Sequence, residues 1–477
     1  MTLPNLSWSA LYLASEWAIR LTMLVYVPQK RNPSAARAWL LLIFFLPLPG
    51  LLLYSLVGRI YVPRRRLALQ RLASERIRAV QERLPAPAAA GPITLPEHIQ
   101  AAAQLVAQLG DFVAVGGNDV GLLPGYDEPL RRLTEDVEGA RRSVHVLYYI
   151  FENDEVGRAF TTVLVRAAQR GVEVRVLMDA AGSRRGLRHL APILRAAGAK
   201  VHEMMPVGLF RRNVARFDLR NHRKIAVIDG EIAYTGSQNI VNPEFIPGCP
   251  NEELVVRLTG PAVRQLQAVF LADWFFETDE PASDALLPSD TFVTGTTIAQ
   301  VLPSGPGYGR ENTKELMIAL IYAARSELTI VTPYFVPDDP FLEAVLAAAR
   351  RGVYTRLILP RRSNQRVTHY AQQSYYAQLL SAGIHIHLYQ GRFLHAKHMT
   401  IDDEVALIGS TNMDIRSFAL NAEVSLLAYD RSVVTRLHAV CDVYLAQSMT
   451  LDGSGWSARP LRQRLFQNVA RLADSLL

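Results

Sequence analysis

"NHRKIAVIDGEIAYTGSQN", Asn221 to Asn239, is the stretch on which the reading of this chain turns. His222 and Lys224 stand two apart, Asp229 follows five later, and a Gly-Ser-x-Asn turn closes the stretch at Gly236, Ser237 and Asn239. The pattern returns in "HAKHMTIDDEVALIGSTNMD", where His395, Lys397, Asp402, Gly409, Ser410 and Asn412 each lie 173 residues beyond their counterparts. A lone His-x-Lys describes many solvated strands. Six specified positions at ordinary residue usage recur together by chance only about once in 10⁸ placements.

The flanks repeat as well. "VHVLYYIF" (144–151) predicts a strand, a helix ends in "RAAQRG", and "VEVRVLMD" predicts a second strand ending at Asp179; "LTIVTPYFVPD", "FLEAVLAAARRG" and "VYTRLILP" follow the same order. Strands alternating with helices indicate α/β domains. Two homologous domains are expected, 111–285 and 286–455, with a junction near residue 285 in "ETDEPASDALLPSDTFVTGTT".

Outside the repeat the chain is more apolar at its start. "AWLLLIFFLPLPGLLLYSLV" (38–57) carries no charge over a length that suits a hydrocarbon core. The stretch 8–27 is weaker, because it holds Glu16 and Arg20, whose spacing allows them to pair within a helix. With Pro28 and Pro33 between them, residues 1–62 are expected to form a transmembrane helical hairpin. Arg59, Arg64, Arg65 and Arg66 follow the second arm, which favours a cytoplasmic C-terminal body. Residues 63–110 are expected to form a charged amphipathic helix and a linker, and 456–477 an amphipathic C-terminal helix whose apolar face suits a membrane or the second domain. The net charge of +7 favours anionic partners, and two cysteines, Cys249 and Cys441, are too few for a disulfide framework or a Cys-built zinc site.

Residue type then suggests the chemistry. Alternation along a strand puts His222 and Lys224 on one face, with Arg223 on the other. Packing the halves about a pseudo-two-fold axis brings two histidines, two lysines and two asparagines around a volume suited to a phosphodiester. Lys224 and Lys397 would neutralise its oxygens, and Ser237, Asn239, Ser410 and Asn412 would donate to charge building in a five-coordinate transition state. One imidazole attacks phosphorus while the other protonates the leaving alkoxide. Two ammonium groups supply the positive charge a metal would bring, so neither metal nor cofactor is expected.

These residues resemble the phospholipase D superfamily and, within it, the bacterial cardiolipin synthases. The likeness runs from "PSAARAWLLLIFFLPLPGLLLYSLVG" through "YYIFENDEVGRAF", "VLPSGP", "TPYFVPD", "SYYAQLLSAG" and "LNAEV", nearly the whole chain apart from 64–110 and the last residues. It implies two phospholipase D-type α/β/α domains behind a membrane hairpin, in a bacterial inner membrane. It implies His222 as the nucleophile that forms a phosphatidyl-histidine and His395 as general acid and then base, although the sequence leaves the reverse assignment open. It also implies an acidic residue from each half orienting the other half's histidine: Glu423 for His222 and Glu253 for His395, with Asp229 and Asp402 bracing loops. The implied reaction joins two phosphatidylglycerol molecules into cardiolipin and glycerol. Partners are then phosphatidylglycerol and anionic membrane lipids, without nucleic acid, and a homo-oligomer is compatible. A phospholipase D-type hydrolase or membrane-tethered phosphodiesterase or nuclease would use the same residues, and a scaffold with a degenerate site is disfavoured by two intact motifs.

Overall fold

The computed structural model describes residues 8–31, 33–58, 62–83, 90–206, 218–244, 246–278, 280 and 292–472. The junction expected near residue 285, Arg59 and the last five residues lie outside them. The chain divides into an N-terminal unit, to Pro63, and a large unit that carries both repeats.

The N-terminal unit is a helical hairpin with its own small core of Met23, Val27, Ala36, Ile43 and Tyr54. Its first arm is Trp8–Tyr26, in which Glu16 and Arg20 pair at 3.2 Å, as their spacing suggested. Arg20 Nε also donates to the Phe44 carbonyl at 3.1 Å, which ties the arms together. The second arm differs from the single uninterrupted span expected over 38–57. It is two helices, Pro33–Phe45 and Pro47–Leu53, followed by the π-helical turn Tyr54–Gly58. Leu46 leaves the helical region (φ −133°, ψ 76°) because it precedes a proline, whose ring crowds the preceding residue out of α conformation. Among the described residues no helix is long and apolar enough to cross a membrane.

In the large unit the two repeats build matching seven-strand arrays. The first runs Val115–Pro124, Leu254–Thr259, Ile232–Gly236, Lys224–Ile228, Ser143–Tyr148, Glu173–Asp179, Lys200–Met204; the second runs Thr297–Ser304, Glu423–Tyr429, Val405–Gly409, His398–Ile401, Glu327–Val331, Tyr354–Pro360, His385–Tyr389, with Ser448–Thr450 added at the edge. The arrays join into one 15-stranded sheet where Val115–Pro124 pairs antiparallel with Thr297–Ser304. Asn118 fastens the irregular register of this joint. Its amide donates to the carbonyls of Val115 (2.7 Å) and Thr297 (3.0 Å) and accepts from Ala262 N–H (2.7 Å).

Nearly continuous apolar runs such as "KIAVI" and "VALIG" are buried along their whole length, as expected of strands covered by helices on both faces. Of the amphipathic helix and linker expected over 63–110, the helix is present and much of the linker is a second helix. Arg64–Arg83 docks on the body through Arg66–Glu277 (2.7 Å) and Arg78–Asp111 (3.0 Å), and Glu97–Gly110 places Ile99, Ala102 and Val106 in the same core as Leu302 and Leu316 of the second repeat. The C-terminal helix Leu461–Arg471 docks by its polar side. Gln467 is fully buried against Gln373 (2.9 Å), and Leu461, Leu465, Phe466 and Val469 are left exposed.

Asp229 and Asp402 occupy tight turns with left-handed backbones (φ 55° and 49°), a conformation aspartate tolerates better than most residues. Asp402 accepts from the N–H groups of Arg325 (3.0 Å), Ser326 (2.7 Å) and Glu327 (2.8 Å) and from the Ser326 hydroxyl (2.7 Å). Asp229 does the same for Arg141, Arg142 and Ser143. Each aspartate thus pins the start of the neighbouring antiparallel strand. Asp402→Ala leaves those donors unsatisfied and is expected to lower the unfolding free energy by about 3 kcal/mol, read from urea midpoints in detergent. A change below about 0.5 kcal/mol would remove the bracing role.

Candidate active site

The site is built by crossing the halves. The extended segment ahead of Lys224–Ile228 leaves its own sheet and pairs with the other repeat: Asn221 bridges Ala422 in parallel, and His222 N–H donates to the Ala422 carbonyl at 2.8 Å. The second repeat reciprocates. Phe393 and Leu394 pair with Asn251 and Glu252, and His395 N–H donates to the Glu252 carbonyl at 2.8 Å. This crossed pairing puts each histidine beside the acid that follows the opposite Gly-Ser-x-Asn turn.

His222 Nδ1 lies 3.0 Å from Glu423 Oε2 and 2.9 Å from Oε1; His395 Nδ1 lies 2.8 Å from both oxygens of Glu253. With Nδ1 engaged, the opposite edge of each ring, carrying Nε2, faces away from the carboxylate. Both histidines line a cavity of about 320 Å³ together with Asn239 and Asn412. The lysines lie buried beneath, Lys224 Nζ donating to the His222 carbonyl (2.5 Å) and Lys397 Nζ to the His395 carbonyl (2.6 Å). Asn239 Oδ1 accepts from Ile150 N–H at 3.1 Å, which leaves its amide N–H groups for the cavity.

The serines depart from the role expected of them. Ser237 Oγ donates to Glu253 Oε2 and Ser410 Oγ to Glu423 Oε2, each at 2.5 Å, and both hydroxyls accept a backbone N–H from the adjacent strand, Leu254 (2.9 Å) and Val424 (3.0 Å). A hydroxyl has one proton to give, and here the glutamate has it. Ser237 and Ser410 are therefore engaged with the acids, and neither lines the cavity. The glycine before each serine is required by space: a Cβ on Gly236 or Gly409 would lie 2.3 Å from the carbonyl oxygen of Leu254 or Val424. Asp229 and Asp402 stand at the far ends of their strands, in the turns already described.

Burial dominates the electrostatics. Loss of solvent pulls His222 and His395 down to about 4, against the pull of their glutamates, so both imidazoles are neutral at pH 7. Lys224 falls to about 7, from burial and the nearby Lys397, and Lys397 falls to about 8 from burial. Glu253, facing His395 and Lys397 and held by Ser237, drops to about 2, and Glu423 is lowered by the matching set around His222. The site thus holds two firm carboxylates and four bases that titrate easily. An anion entering it raises the proton affinity of every base around it.

Several lining residues escaped the sequence reading. Arg220 reaches the cavity with Nη1 3.3 Å from Asp179 Oδ1, and Tyr149 packs on the His222 ring at 4.9 Å between centroids. Arg223, on the opposite face as alternation required, donates to the Glu423 carbonyl (2.9 Å), the Ser304 carbonyl (3.0 Å) and Asp273 (2.5 Å), so it anchors the backbone that carries Glu423. A position-by-position comparison of the two copies would have flagged both arginines, because the second copy has Phe393 and Ala396 in their places.

The chain is also similar to known proteins. Residues 133–274 and 317–443 match the family described as cardiolipin synthase, PLD-like domain, and residues 17–59 match the family described as phospholipase D-nuclease N-terminal. The chain is 35% identical to proteins named cardiolipin synthase A from Yersinia pseudotuberculosis serotype O:1b (strain IP 31758) and Yersinia pestis bv. Antiqua (strain Angola), over 96% of this chain and 95% of each relative. Among solved structures, phosphatidylserine synthase from Haemophilus influenzae Rd KW20 shares the fold, with a TM-score of 0.62 at 15% identity, covering 80% of this chain and all of that one.

Four buried histidines are held neutral: His222, His395 and His145 at about 4, and His398 at about 3. The unfolded chain binds these protons below about pH 6.5 and the folded chain does not, so stability is fully present above 6.5 and is lost as pH falls toward 4, by ~1.4 kcal/mol per pH unit for each proton. Asp414, raised by burial to about 6, and Asp179, also raised by burial, act in the opposite sense and offset part of this. Urea midpoints are expected to fall clearly between pH 7 and pH 5; a flat or rising profile would contradict the neutral assignment.

Proposed function

The chain belongs to the cardiolipin synthases, whose bodies are pairs of phospholipase D-like domains, and we propose that it joins two phosphatidylglycerol molecules into cardiolipin and glycerol through a phosphatidyl-histidine. The observation that carries this reading is the crossed arrangement of His222 on Glu423 and His395 on Glu253 around one cavity.

The steps balance. Nε2 of His222 attacks phosphorus, the bond from phosphorus to the glycerol headgroup oxygen breaks, and His395 gives its proton to that oxygen. A hydroxyl of the second phosphatidylglycerol then passes its proton to His395 as its oxygen displaces His222 from phosphorus. The neutral imidazole of the resting site suits attack, and the substrate's negative charge favours the proton that His395 must carry. Lys224, Lys397, Asn239 and Asn412 steady the non-bridging oxygens as charge gathers on them. Glu423 and Glu253 fix the tautomers and stabilise each imidazolium in turn, and Ser410 and Ser237 hold those carboxylates in register.

Hydrolysis by the same residues is the alternative, and water must be kept from the intermediate for transfer to dominate. A bilayer setting serves that end. The hairpin turns Trp17, Leu21, Phe45 and Leu52 outward from its small core, an apolar surface that water penalises and lipid does not. The first arm, 19 residues at ~1.5 Å each, approaches the thickness of a hydrocarbon core despite its internal charge pair. The hairpin is accordingly read as embedded in the bacterial cell membrane, with the catalytic body on the cytoplasmic side and the exposed apolar stripe of the C-terminal helix against the surface. The net charge of +7 also favours an anionic lipid surface.

Two experiments check this function and setting. Purified protein given phosphatidylglycerol in detergent micelles is expected to yield cardiolipin and glycerol, with an alkali-stable adduct on His222; His222→Ala and His395→Ala are each expected to lose at least a thousandfold in turnover. Phosphatidic acid as the main product would sink the synthase reading, and an adduct on His395 would reverse the two roles. For the setting, membranes containing the full chain are washed in alkaline carbonate. Retention in the pellet is expected, and release into the supernatant would remove the embedded hairpin.

A further inference from the structure

The two halves of the cavity are alike at the histidines, lysines and asparagines and unlike two residues upstream. Arg220 stands where the second copy has Phe393. Likewise the strand Glu173–Asp179 ends in Asp179 where its counterpart Tyr354–Pro360 ends in Pro360. On the first half the cavity is therefore lined by the arginine of a buried ion pair, whereas in the second half Phe393 is fully buried behind the lining, 6.0 Å from the His395 ring.

Arg220 is only 4% exposed, yet its guanidinium is half used. Nη1 makes a long contact of 3.3 Å to Asp179 Oδ1, and neither Nε nor Nη2 has a partner among the described residues. Burying two unpaired donors of a cation is costly unless something else takes them. Arg220 lines the same cavity as His222, and two residues along an extended segment place the two side chains on one face, ~6.6 Å apart.

We propose that Arg220 binds the phosphate of the second phosphatidylglycerol, the acceptor, through its free Nε and Nη2 edge. The proposal rests on the synthase reading above. In the product the two phosphates are separated by a single three-carbon glycerol bridge, so the acceptor's own phosphate must lie about one headgroup away from the phosphorus on His222. Lys224, Lys397 and the two asparagines are committed to the transferring group. Two guanidiniums line the cavity: Arg416 donates to the Asp218 carbonyl (2.8 Å), whereas Arg220 is the one with a buried, unengaged edge among the described residues, and its planar fork matches two phosphate oxygens. Asp179 holds the far edge, which orients the fork and keeps an empty site from carrying a bare charge. Water and free glycerol have no phosphate to offer this wall, so Arg220 selects a charged acceptor over both.

The test separates acceptor choice from transfer. Full-length protein in phosphatidylglycerol vesicles is supplied with radiolabelled glycerol, and two products are counted: cardiolipin, which needs the charged acceptor, and labelled phosphatidylglycerol, which needs only the neutral one. In Arg220→Met combined with Asp179→Asn, which removes the ion pair without stranding a charge, the ratio of cardiolipin to labelled phosphatidylglycerol is expected to fall at least tenfold. Arg220→Lys keeps the charge but not the fork and is expected to lower the ratio about threefold, which also decides the matter if the double variant does not fold. An unchanged ratio, or proportional loss of both products, overturns the assignment. Wild-type protein that forms phosphatidic acid and no cardiolipin sinks the synthase reading itself; wild-type protein that forms cardiolipin while the variants keep its ratio sinks this inference alone.

Discussion

The structure depends on one crossed constraint: each histidine is held by a carboxylate from the other half. His222 reaches Glu423 and His395 reaches Glu253 only because the extended segments before Lys224 and before His398 leave their own sheet and pair with the opposite repeat. Backbone pairing fixes the distance, and the side-chain contacts follow from it. Neither half contains a complete site, since each would hold a histidine without its carboxylate. The antiparallel joint at Asn118, the 15-stranded sheet and the glycines that let Ser237 and Ser410 approach the next strand all keep that crossing in register.

Charge in the site is set by what is buried with what. Two buried carboxylates face two imidazoles and two ammonium groups, and the shortage of solvent lowers every base. The carboxylates stay ionised because each accepts from a serine hydroxyl and faces an imidazole and an ammonium group. Such a site is primed for an anion. A phosphodiester brings the charge that the lysines lack while the cavity is empty, and its arrival strengthens the same contacts that hold it.

Much of this was legible in the residues. The 173-residue offset gave the two halves, and strand alternation gave the shared face of His222 and Lys224. The hairpin's Glu16–Arg20 pair was readable from its spacing. Three features were not. The break at Leu46 lay in plain sight in "LPLP", but an uncharged run read as one span hides the proline's demand on its neighbour. The serines read as donors to substrate because a sequence cannot show which acceptor lies nearest, and the glutamate sixteen or thirteen residues on was nearer. Glu97–Gly110 read as linker because its apolar face is completed by strand Thr297–Ser304 and helix Asn312–Ala323, some two hundred residues away.

Duplication supplies the two histidines, and in a perfectly two-fold site the bound substrate alone would divide the labour between them. Positions where the copies have diverged build a further distinction into the protein itself. Arg220, Asp179 and Arg223 in the first half face Phe393, Pro360 and Ala396 in the second. The first three lie around His222 and the backbone of its glutamate, so the half-used guanidinium of Arg220 has no counterpart at the matching position beside His395, where Phe393 stands. A lipid headgroup with a second phosphate can distinguish these positions, whereas a water molecule cannot. The asymmetry proposed to separate a charged acceptor from solvent thus arises at the few positions where the repeat fails to repeat.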